Sequence, residues 1–520
     1  MRAFVVFLCW VLCLSPWATA QNLRLPDLGD GAEITLGAER RLGDSIAREI
    51  FRDPDYLDDP VLGDYVLSIW GPLLVAARQR GELSPEMEQQ FAWKISLVRD
   101  RSINAFALPG GYLGVHLGLI SAVSSADELA SVLAHELTHV TQRHIARMLE
   151  QQGRQGPVLI GAMILGMLAA SRAPVNSSNM NAANAMIVGG QAVAIQSQLN
   201  FSRDMEREAD RIGFGVLNDA GFAPQSFVTM FEKLQQAARL NDNGAYPYLR
   251  SHPMTTERIA DAQARQQLLG VRAPVALMPL HAMMAARAQV LVRPGVDALR
   301  VLAAQADAVS PRPLSTAEQA GRLYGAVLAT QQLREFADMQ RHLSRLQSLT
   351  GLEGISQQVV RWLSAEVALA SPAPQASASQ ALALMTQSAT LAPDAWARTR
   401  RFLLAQARVA TGQPEQMRTA AQELALWVNQ RPRDALGWSL LSLAYQAQGD
   451  ALRSIRAQAE ARMAEFDVGA AVDRFKAAQE LALQLGREGR LDRAGHVEAS
   501  IIDARLRESE RLRREQALQR

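Results

Sequence analysis

The chain has 520 residues, which is enough for two or three domains that each bury a hydrophobic core. Its formal net charge is only +2 at pH 7, so its charge gives no reason to expect nucleic-acid binding. The two cysteines, Cys9 and Cys13, lie in an N-terminal apolar segment, so the rest of the chain has no thiol and cysteine-based catalysis is excluded.

The N-terminal segment has the pattern of a signal peptide. An apolar run follows Arg2, and Ala18 and Ala20 stand at the spacing of a small-residue cleavage site. We therefore predict that residues 1–20 are a signal peptide and that the mature chain begins at Gln21. The alternative, an uncleaved membrane anchor, is disfavoured because the run is shorter than the roughly 20 apolar residues that a spanning helix needs. A mature chain without cysteines suits an oxidising compartment.

Residues 125–150 are predicted to form an amphipathic helix. Ser125 is a suitable N-cap, and Glu128 three residues later has the position of the acidic residue in a capping box. No proline or glycine interrupts the segment. A continuous helix would point His144 roughly 140° away from His139, so we expect His144 at the surface or behind a metal ligand. Apolar residues recur at helical spacing: Leu129, Val132, Leu133, Leu137 and Val140.

This predicted helix contains the sequence His-Glu-Leu-Thr-His. On a helix, His135 and His139 lie on one face, close enough to bind one metal ion. Tetrahedral Zn²⁺ accepts imidazole nitrogens at about 2.0–2.1 Å, and this spacing allows that reach. Glu136 then points to the side of the metal, where it can take a proton from a water molecule on the ion. The pattern predicts a zinc site; the alternative is a pair of ordinary helix histidines with an incidental glutamate.

The segment of residues 153–200, which follows the predicted zinc helix, is unusually hydrophobic. Residues 156–170 are almost wholly apolar, and a polar stretch separates them from a second apolar run at residues 185–195. The first run is too short for a confident transmembrane helix. The sequence leaves three interpretations open: a hydrophobic hairpin on the domain core, a mobile lid over the active site, or a segment that contacts a membrane or a membrane-protein client.

Residues 202–210 form a second predicted helix that can complete the site. A catalytic zinc site has three protein ligands and an open position for water, so a third ligand is needed. Glu206 and Asp210 are four residues apart and share a helical face, whereas Glu208 points away from them. Glu206 can bind the metal while Asp210 accepts the distal N–H of a ligand histidine. Taken alone, such an acidic helix is more often a solvated charged face.

From about residue 280 to the end, the sequence favours pairs of helices. Leu404 and Gly412 recur one repeat later as Leu441 and Gly449, with an irregular period of roughly 34–40 residues. We therefore predict tetratricopeptide-like repeats over residues 280–520, with a non-repeating helical bundle as the alternative. Such repeats stack into a curved surface whose concave groove binds peptides or partner proteins.

The two zinc-site segments together resemble those of the gluzincin metallopeptidases of the CAAX prenyl protease and HtpX family. In that family an H-E-x-x-H sequence is followed by E-x-x-A-D, matched here by His135–His139 and Glu206–Asp210. Asn104–Tyr112 resembles the edge segment that precedes the zinc helix in such enzymes. Ser251–Pro253, followed by Glu257–Ile259, resembles the histidine-proline segment near the end of the catalytic domain.

The resemblance covers roughly residues 30–270 and implies a mainly α fold. We expect a helical zincin-type metallopeptidase domain over residues 21–275, with a small β edge element, followed by the repeat domain. The resemblance also implies that the backbone of a substrate pairs with residues 104–112 by strand addition.

The resemblance implies one Zn²⁺ per chain, held by His135, His139 and Glu206, with Glu136 as general base and Asp210 as the acceptor that orients a ligand histidine. The tetrahedral intermediate needs a further hydrogen-bond donor for its oxyanion, and the candidates are His252 and Arg258. A second role is open for His252, because it could occupy the free zinc position and keep the enzyme inactive.

A secreted member of this family with a helical-repeat tail resembles the periplasmic members, whose clients are stalled or misfolded outer-membrane proteins. We therefore expect a periplasmic zinc endopeptidase with chaperone-like activity in the assembly and quality control of outer-membrane β-barrel proteins. Docking of the repeats on the β-barrel assembly machinery and peripheral membrane contact are open options. The alternative is a non-catalytic chaperone or scaffold. A membrane-embedded prenyl-type protease is excluded for lack of several long apolar spans.

Overall fold

The computed structural model describes residues 34–50, 53, 55–151, 203–239, 248–269, 277–371, 374–387 and 394–518. The chain divides into two compact units, Met1–Thr35 and Leu36–Arg520, and the following description concerns the second. The predicted signal peptide at residues 1–20 and the apolar segment at residues 153–200 lie outside the described residues.

The described chain is mainly helical, which confirms the predicted fold class. Its first ten helices, α1 to α10, are Leu36–Ile50, Pro60–Gln79, Pro85–Gln90, Leu117–Ala122, Ala126–Thr141, His144–Gln151, Arg203–Asp219, Gln225–Arg239, Tyr248–Ser251 and Thr256–Leu268. The next twelve, α11 to α22, are Pro279–Leu291, Val296–Gln305, Thr316–Leu333, Phe336–Gln347, Gly354–Leu369, Pro374–Gln387, Ala397–Ala410, Pro414–Gln430, Ala435–Ala447, Ala451–Ala464, Val468–Arg487 and Arg493–Leu518. A short 3₁₀ helix, Asp394–Trp396, precedes α17.

A small sheet stands against helix α5. Its strands are Tyr56–Leu57, Lys94–Val98, Ala105–Leu108 and Tyr112–His116, numbered β1 to β4 and arranged in the order β1-β2-β4-β3. Strands β2 and β4 are parallel, whereas β3 pairs antiparallel with β4 and places Phe106 opposite Gly114. Gly114 is required there because a Cβ would come within 2.1 Å of the Phe106 ring. Strand β3 lies at an edge of the sheet and packs on α5, as predicted for residues 104–112.

Helix α5 begins as predicted but ends earlier. The Ser125 hydroxyl accepts the Glu128 N–H at 3.1 Å, which caps the helix. The prediction of one continuous helix over residues 125–150 is wrong, because α5 ends at Thr141 and Arg143 adopts a left-handed conformation with φ of 53°. The Arg143 Nε donates to Glu39 Oε2 at 2.9 Å. This contact holds the bend, after which α6 begins in a new direction.

One hydrophobic cluster extends from α2 through the zinc-motif helix α5 into the C-terminal helices as far as Ala407. Its largest fully buried side chains include Trp70 on α2 and Trp362 on α15. Helix α11 packs on both α4 and α13. One core thus has members on both sides of the predicted boundary near residues 275–280, and the division into two domains stays a prediction.

The C-terminal helices pack as consecutive pairs, for example α19 with α20 and α21 with α22. Their assignment as tetratricopeptide-like repeats remains a prediction. Among the described helices, Pro60–Gln79 is long and apolar enough to cross a membrane by length and composition alone. More than half of its most apolar window, 56%, is buried inside the protein, which suits the core helix of a folded domain.

Polar contacts also join α2 to the C-terminal helices. Asp64 Oδ2 accepts the Thr399 N–H in the first turn of α17 at 2.8 Å, so a carboxylate of α2 caps another helix. Burial raises the pKa of Asp64 to about 6. Arg398 makes bidentate contacts with both Asp58 and Asp434 at 2.7–2.9 Å.

Candidate metal centre

Four buried side chains from three segments meet at one point. His135 and His139 come from α5, Glu206 comes from α7, and His252 follows α9. Each offers one ligand atom, and the four atoms lie within 4.8 Å of one another. The structure thus brings together the three predicted zinc ligands and places the histidine of the His-Pro segment beside them.

The spacing of these four atoms fits a tetrahedral zinc ion. The two Nε2 atoms of His135 and His139 are 2.9 Å apart, and His252 Nδ1 lies 3.2 Å from His135 Nε2 and 3.0 Å from Glu206 Oε1. Glu206 oxygens lie 3.5 Å from both ligand imidazoles. Ligands bound at about 2.0–2.1 Å in a tetrahedron are about 3.3 Å apart, which is the middle of this range. The residues present therefore fit zinc.

Glu136 lies beside this centre, and its carboxylate has few partners. The side chain is fully buried, and neither carboxylate oxygen makes a hydrogen bond of normal geometry with the described residues. His252 Nε2 lies 3.4 Å from Glu136 Oε1. Burial raises the pKa of Glu136. The His252 imidazole and the Ala107 backbone partly oppose this rise in pKa. A buried carboxylate with such weak partners is costly, so this group suits a site that receives a water molecule or a substrate.

Behind His135 lies a buried carboxylate and arginine pair. Asp210 Oδ1 is 3.0 Å from His135 Nδ1, which leaves the opposite nitrogen of the ring for the metal. Arg258 donates to Asp210 from Nε at 2.6 Å and from Nη2 at 2.8 Å, and its Nη1 lies 2.7 Å from Glu206 Oε2. Although burial opposes it, the Arg258 charge holds the pKa of Asp210 below its usual value.

All three guanidinium nitrogens of Arg258 are thus engaged with the carboxylates, and Nη1 also donates to the Pro253 carbonyl. These contacts suit a positioning role for Arg258, which the sequence left as one of two candidate oxyanion donors.

Behind His139 lies a second support, in which another histidine links this ligand to a carboxylate. His144 Nδ1 is 2.8 Å from His139 Nδ1, and His144 Nε2 is 3.0 Å from Glu208 Oε2. Burial lowers the pKa of His144 to about 4, so its ring is neutral and carries one N–H. Nε2–H donates to Glu208, so Nδ1 accepts from His139 and leaves the His139 Nε2 free to bind a metal.

His144 is fully buried, so its expected surface position is wrong, whereas a position behind a ligand agrees with the structure. Glu208, which was expected on the opposite side of its helix from Glu206 and Asp210, supports this second histidine, and Arg147 Nη1 lies 2.8 Å from Glu208 Oε2.

Helix α7 approaches α5 closely because of one glycine. A Cβ at Gly213 would come within 3.1 Å of the Ala134 carbonyl oxygen and 3.2 Å of the His135 backbone nitrogen. Gly213 lies about two turns after Glu206, on the same helical face. The small residue therefore lets the helix that carries the third donor lie against the helix that carries the first two.

The sequence of this region matches a known peptidase family. Residues 79–266 fit the sequence profile of peptidase family M48. The match includes all four donors and Glu136, and M48 peptidases are zinc-dependent.

Similarity to individual proteins extends further along the chain. A Vibrio cholerae protein, named provisionally as a beta-barrel assembly-enhancing protease, is 34% identical over 337 residues, which cover 64% of this chain and 65% of that protein. The beta-barrel assembly-enhancing protease of Escherichia coli K12 is 34% identical over 243 residues, covering 46% and 47%. The mitochondrial metalloendopeptidase OMA1 of Schizosaccharomyces pombe is 28% identical over 233 residues, covering 44% and 60%. The chain thus spans less than two thirds of the length of each relative.

Proposed function

We propose that this chain is a zinc-dependent metalloendopeptidase. The observation that carries the proposal is the meeting of His135, His139 and Glu206 around one point, with the buried Glu136 carboxylate beside them. When bound there, zinc would act as a Lewis acid on the scissile carbonyl and lower the pKa of water. Glu136 takes the proton of the attacking water and passes it to the leaving amine.

Strand β3 is the proposed binding edge for the substrate. It lies at one edge of the sheet, and it packs on the helix that carries His135 and Glu136. An extended peptide that pairs with Ala105–Leu108 would gain main-chain hydrogen bonds independently of its sequence. This mode of binding suits clients that are recognised because they are unfolded.

His252 is proposed to close the site in the absence of a client. Its Nδ1 is the fourth donor, so a zinc ion bound to all four groups keeps no position open for water or a carbonyl. Its Nε2 lies 3.4 Å from Glu136 Oε1, so the same ring also covers the general base. Control by one side chain suits a compartment without ATP, because opening and closing the site then needs no ATP hydrolysis. Activity then requires that the imidazole of His252 withdraws.

We propose that the enzyme acts in the periplasm on stalled or misfolded outer-membrane β-barrel proteins. The names of its relatives in Vibrio cholerae and Escherichia coli support this proposal, as does the signal peptide predicted for residues 1–20. The paired C-terminal helices would hold clients or dock on the β-barrel assembly machinery, if they form the expected repeat surface.

Zinc content and cleavage of an unfolded outer-membrane protein test the proposal. Wild type and Glu136→Gln should each hold one zinc per chain, whereas Glu206→Gln should lose it or bind it weakly. Both variants should lose cleavage, and Glu136→Gln should still bind clients. Glu257→Gln is a matched control, since Glu257 pairs with Arg207 at the surface of the same region. A wild type without zinc after chelator-free purification, or full cleavage by Glu136→Gln, would contradict the assignment.

A further inference from the structure

We infer that Tyr248 is the positioning residue that keeps His252 among the metal donors. The inference rests on the proposed function and adds to it the part that holds the closed form. Tyr248 lies in no motif that the sequence singled out, and its side chain contributes no donor to the cluster of four.

A single turn of helix sets the two rings face to face. Tyr248 begins the four-residue helix α9, and the His252 N–H donates to the Tyr248 carbonyl at 2.9 Å. The ring centroids are 4.6 Å apart with an angle of 26° between the planes, which is a stacked arrangement. The phenol ring is buried and also contacts the His135 ring, with 6.4 Å between the ring centroids and 61° between the ring planes. The Tyr248 ring therefore packs against the His252 imidazole on one face and keeps it beside the metal donors.

The backbone on the other side of His252 is fixed. Pro253 follows it, and the Pro253 carbonyl accepts a hydrogen bond from Arg258 Nη1 at 2.9 Å. Arg258 is itself bound to Asp210 on α7. With the chain held on both sides, the His252 ring leaves its position mainly by side-chain rotation, and this rotation separates it from the Tyr248 ring.

The stack therefore sets the balance between the closed and open forms. An aromatic pair of this kind changes an equilibrium by about two- to tenfold beyond the area that it buries. Tyr248→Ala should raise the open fraction by this factor, while Tyr248→Phe should leave it unchanged because it keeps the ring. Tyr248→Leu fills much of the volume without an aromatic face and serves if the alanine variant does not fold.

The test measures release of zinc from the full-length, zinc-loaded protein to a colorimetric chelator. Zinc should leave Tyr248→Ala or Tyr248→Leu about two- to tenfold faster than wild type, and Tyr248→Phe should match wild type. In a His252→Ala background the same changes at Tyr248 should have no further effect. The visible spectrum of the Co²⁺-substituted protein should move from that of wild type toward that of His252→Ala.

Three results would overturn the inference. Equal release rates in wild type and in folded Tyr248→Leu would show that the stack does not hold the ring. Equal acceleration with and without His252 would show that Tyr248 acts on another part of the site. Faster release from Tyr248→Phe would assign the effect to the hydroxyl. A wild type that binds no zinc would instead contradict the proposed function itself, so the two failures are distinguishable.

Discussion

Arg258 should be needed for the folded metal site and not as a direct donor to substrate. Its guanidinium is 3% exposed and contacts Asp210 through two nitrogens and Glu206 through the third. Arg258→Met keeps much of the length of the side chain but leaves two buried carboxylates without their cation. Solvent cannot replace the lost contacts because the carboxylates are buried as well.

The expected loss follows from the burial of this pair. Removing one partner of a buried ion pair costs about 3–5 kcal/mol, because the remaining charge is left uncompensated. For a cooperative unit of roughly 150–250 residues, each kcal/mol lowers the melting temperature by about 2–4 °C. We therefore expect Arg258→Met to melt roughly 6–20 °C below wild type.

Thermal melts of four proteins test this reasoning. Arg258→Met combined with Asp210→Asn should recover part of the loss, because the asparagine carries no charge. Arg207→Met is the matched control: Arg207 pairs with Glu257 at 2.9 Å on the surface, and its loss should leave the melting temperature nearly unchanged. An Arg258→Met protein that melts like wild type but has lost cleavage would refute the reasoning and restore the role of oxyanion donor.

Three further predictions follow from the structure. His144→Phe should lower zinc affinity about 10–100-fold in chelator competition, because His139 loses the group that orients its ring; unchanged affinity would contradict this. Gly213→Ala should have a lower melting temperature than Gly215→Ala, although both changes raise helix propensity. A Cβ at residue 213 would press on the backbone of the zinc helix, whereas one at residue 215 would meet only the flexible end of an arginine side chain. Equal melting temperatures would contradict this prediction. The pKa of Asp64 is raised from 3.8 to about 6, so the folded protein binds this proton more tightly than the unfolded chain does. The wild type should therefore lose stability as the pH rises from about 4 through 6. Asp64→Asn should lack that loss in melts from pH 4 to 8, and a pH-independent difference from wild type would contradict the prediction.

The donor set could be predicted from the sequence because local spacing encodes it. His135 and His139 are four residues apart on one helix, as are Glu206 and Asp210, and the periodicity of a helix fixes which side chains share a face. The mainly helical fold and the edge strand were expected instead from the family resemblance. Pairing of the two helices came from the family resemblance, since spacing within a segment carries no information on which segments meet.

The second support of the site was not predictable because it depends on a bend without a local signal. Arg143 is neither glycine nor asparagine, yet it takes a left-handed conformation. Its guanidinium is held by Glu39, which lies 104 residues earlier in the chain. Helical-wheel geometry fails beyond this residue, so the surface position that the sequence allowed for His144 was wrong, and its contact with Glu208 could not be anticipated. Tyr248 escaped notice because a four-residue helix has no periodic pattern.

Helix α7 controls more of the site than its one ligand indicates. Glu206 offers a donor to the metal, Asp210 orients His135, and Glu208 orients His139 through His144. Residues 206 and 208 lie about 200° apart on a helix, so one face alone could not serve both histidines.

The bend after α5 resolves this, because it brings His144 to the other flank of α7. One rigid helix thus fixes a ligand and both orienting carboxylates together. A displacement of α7 against α5 should then impair the site more than the loss of either orienting carboxylate alone. The close contact of α7 with α5 at Gly213 therefore matters for function as well as for stability.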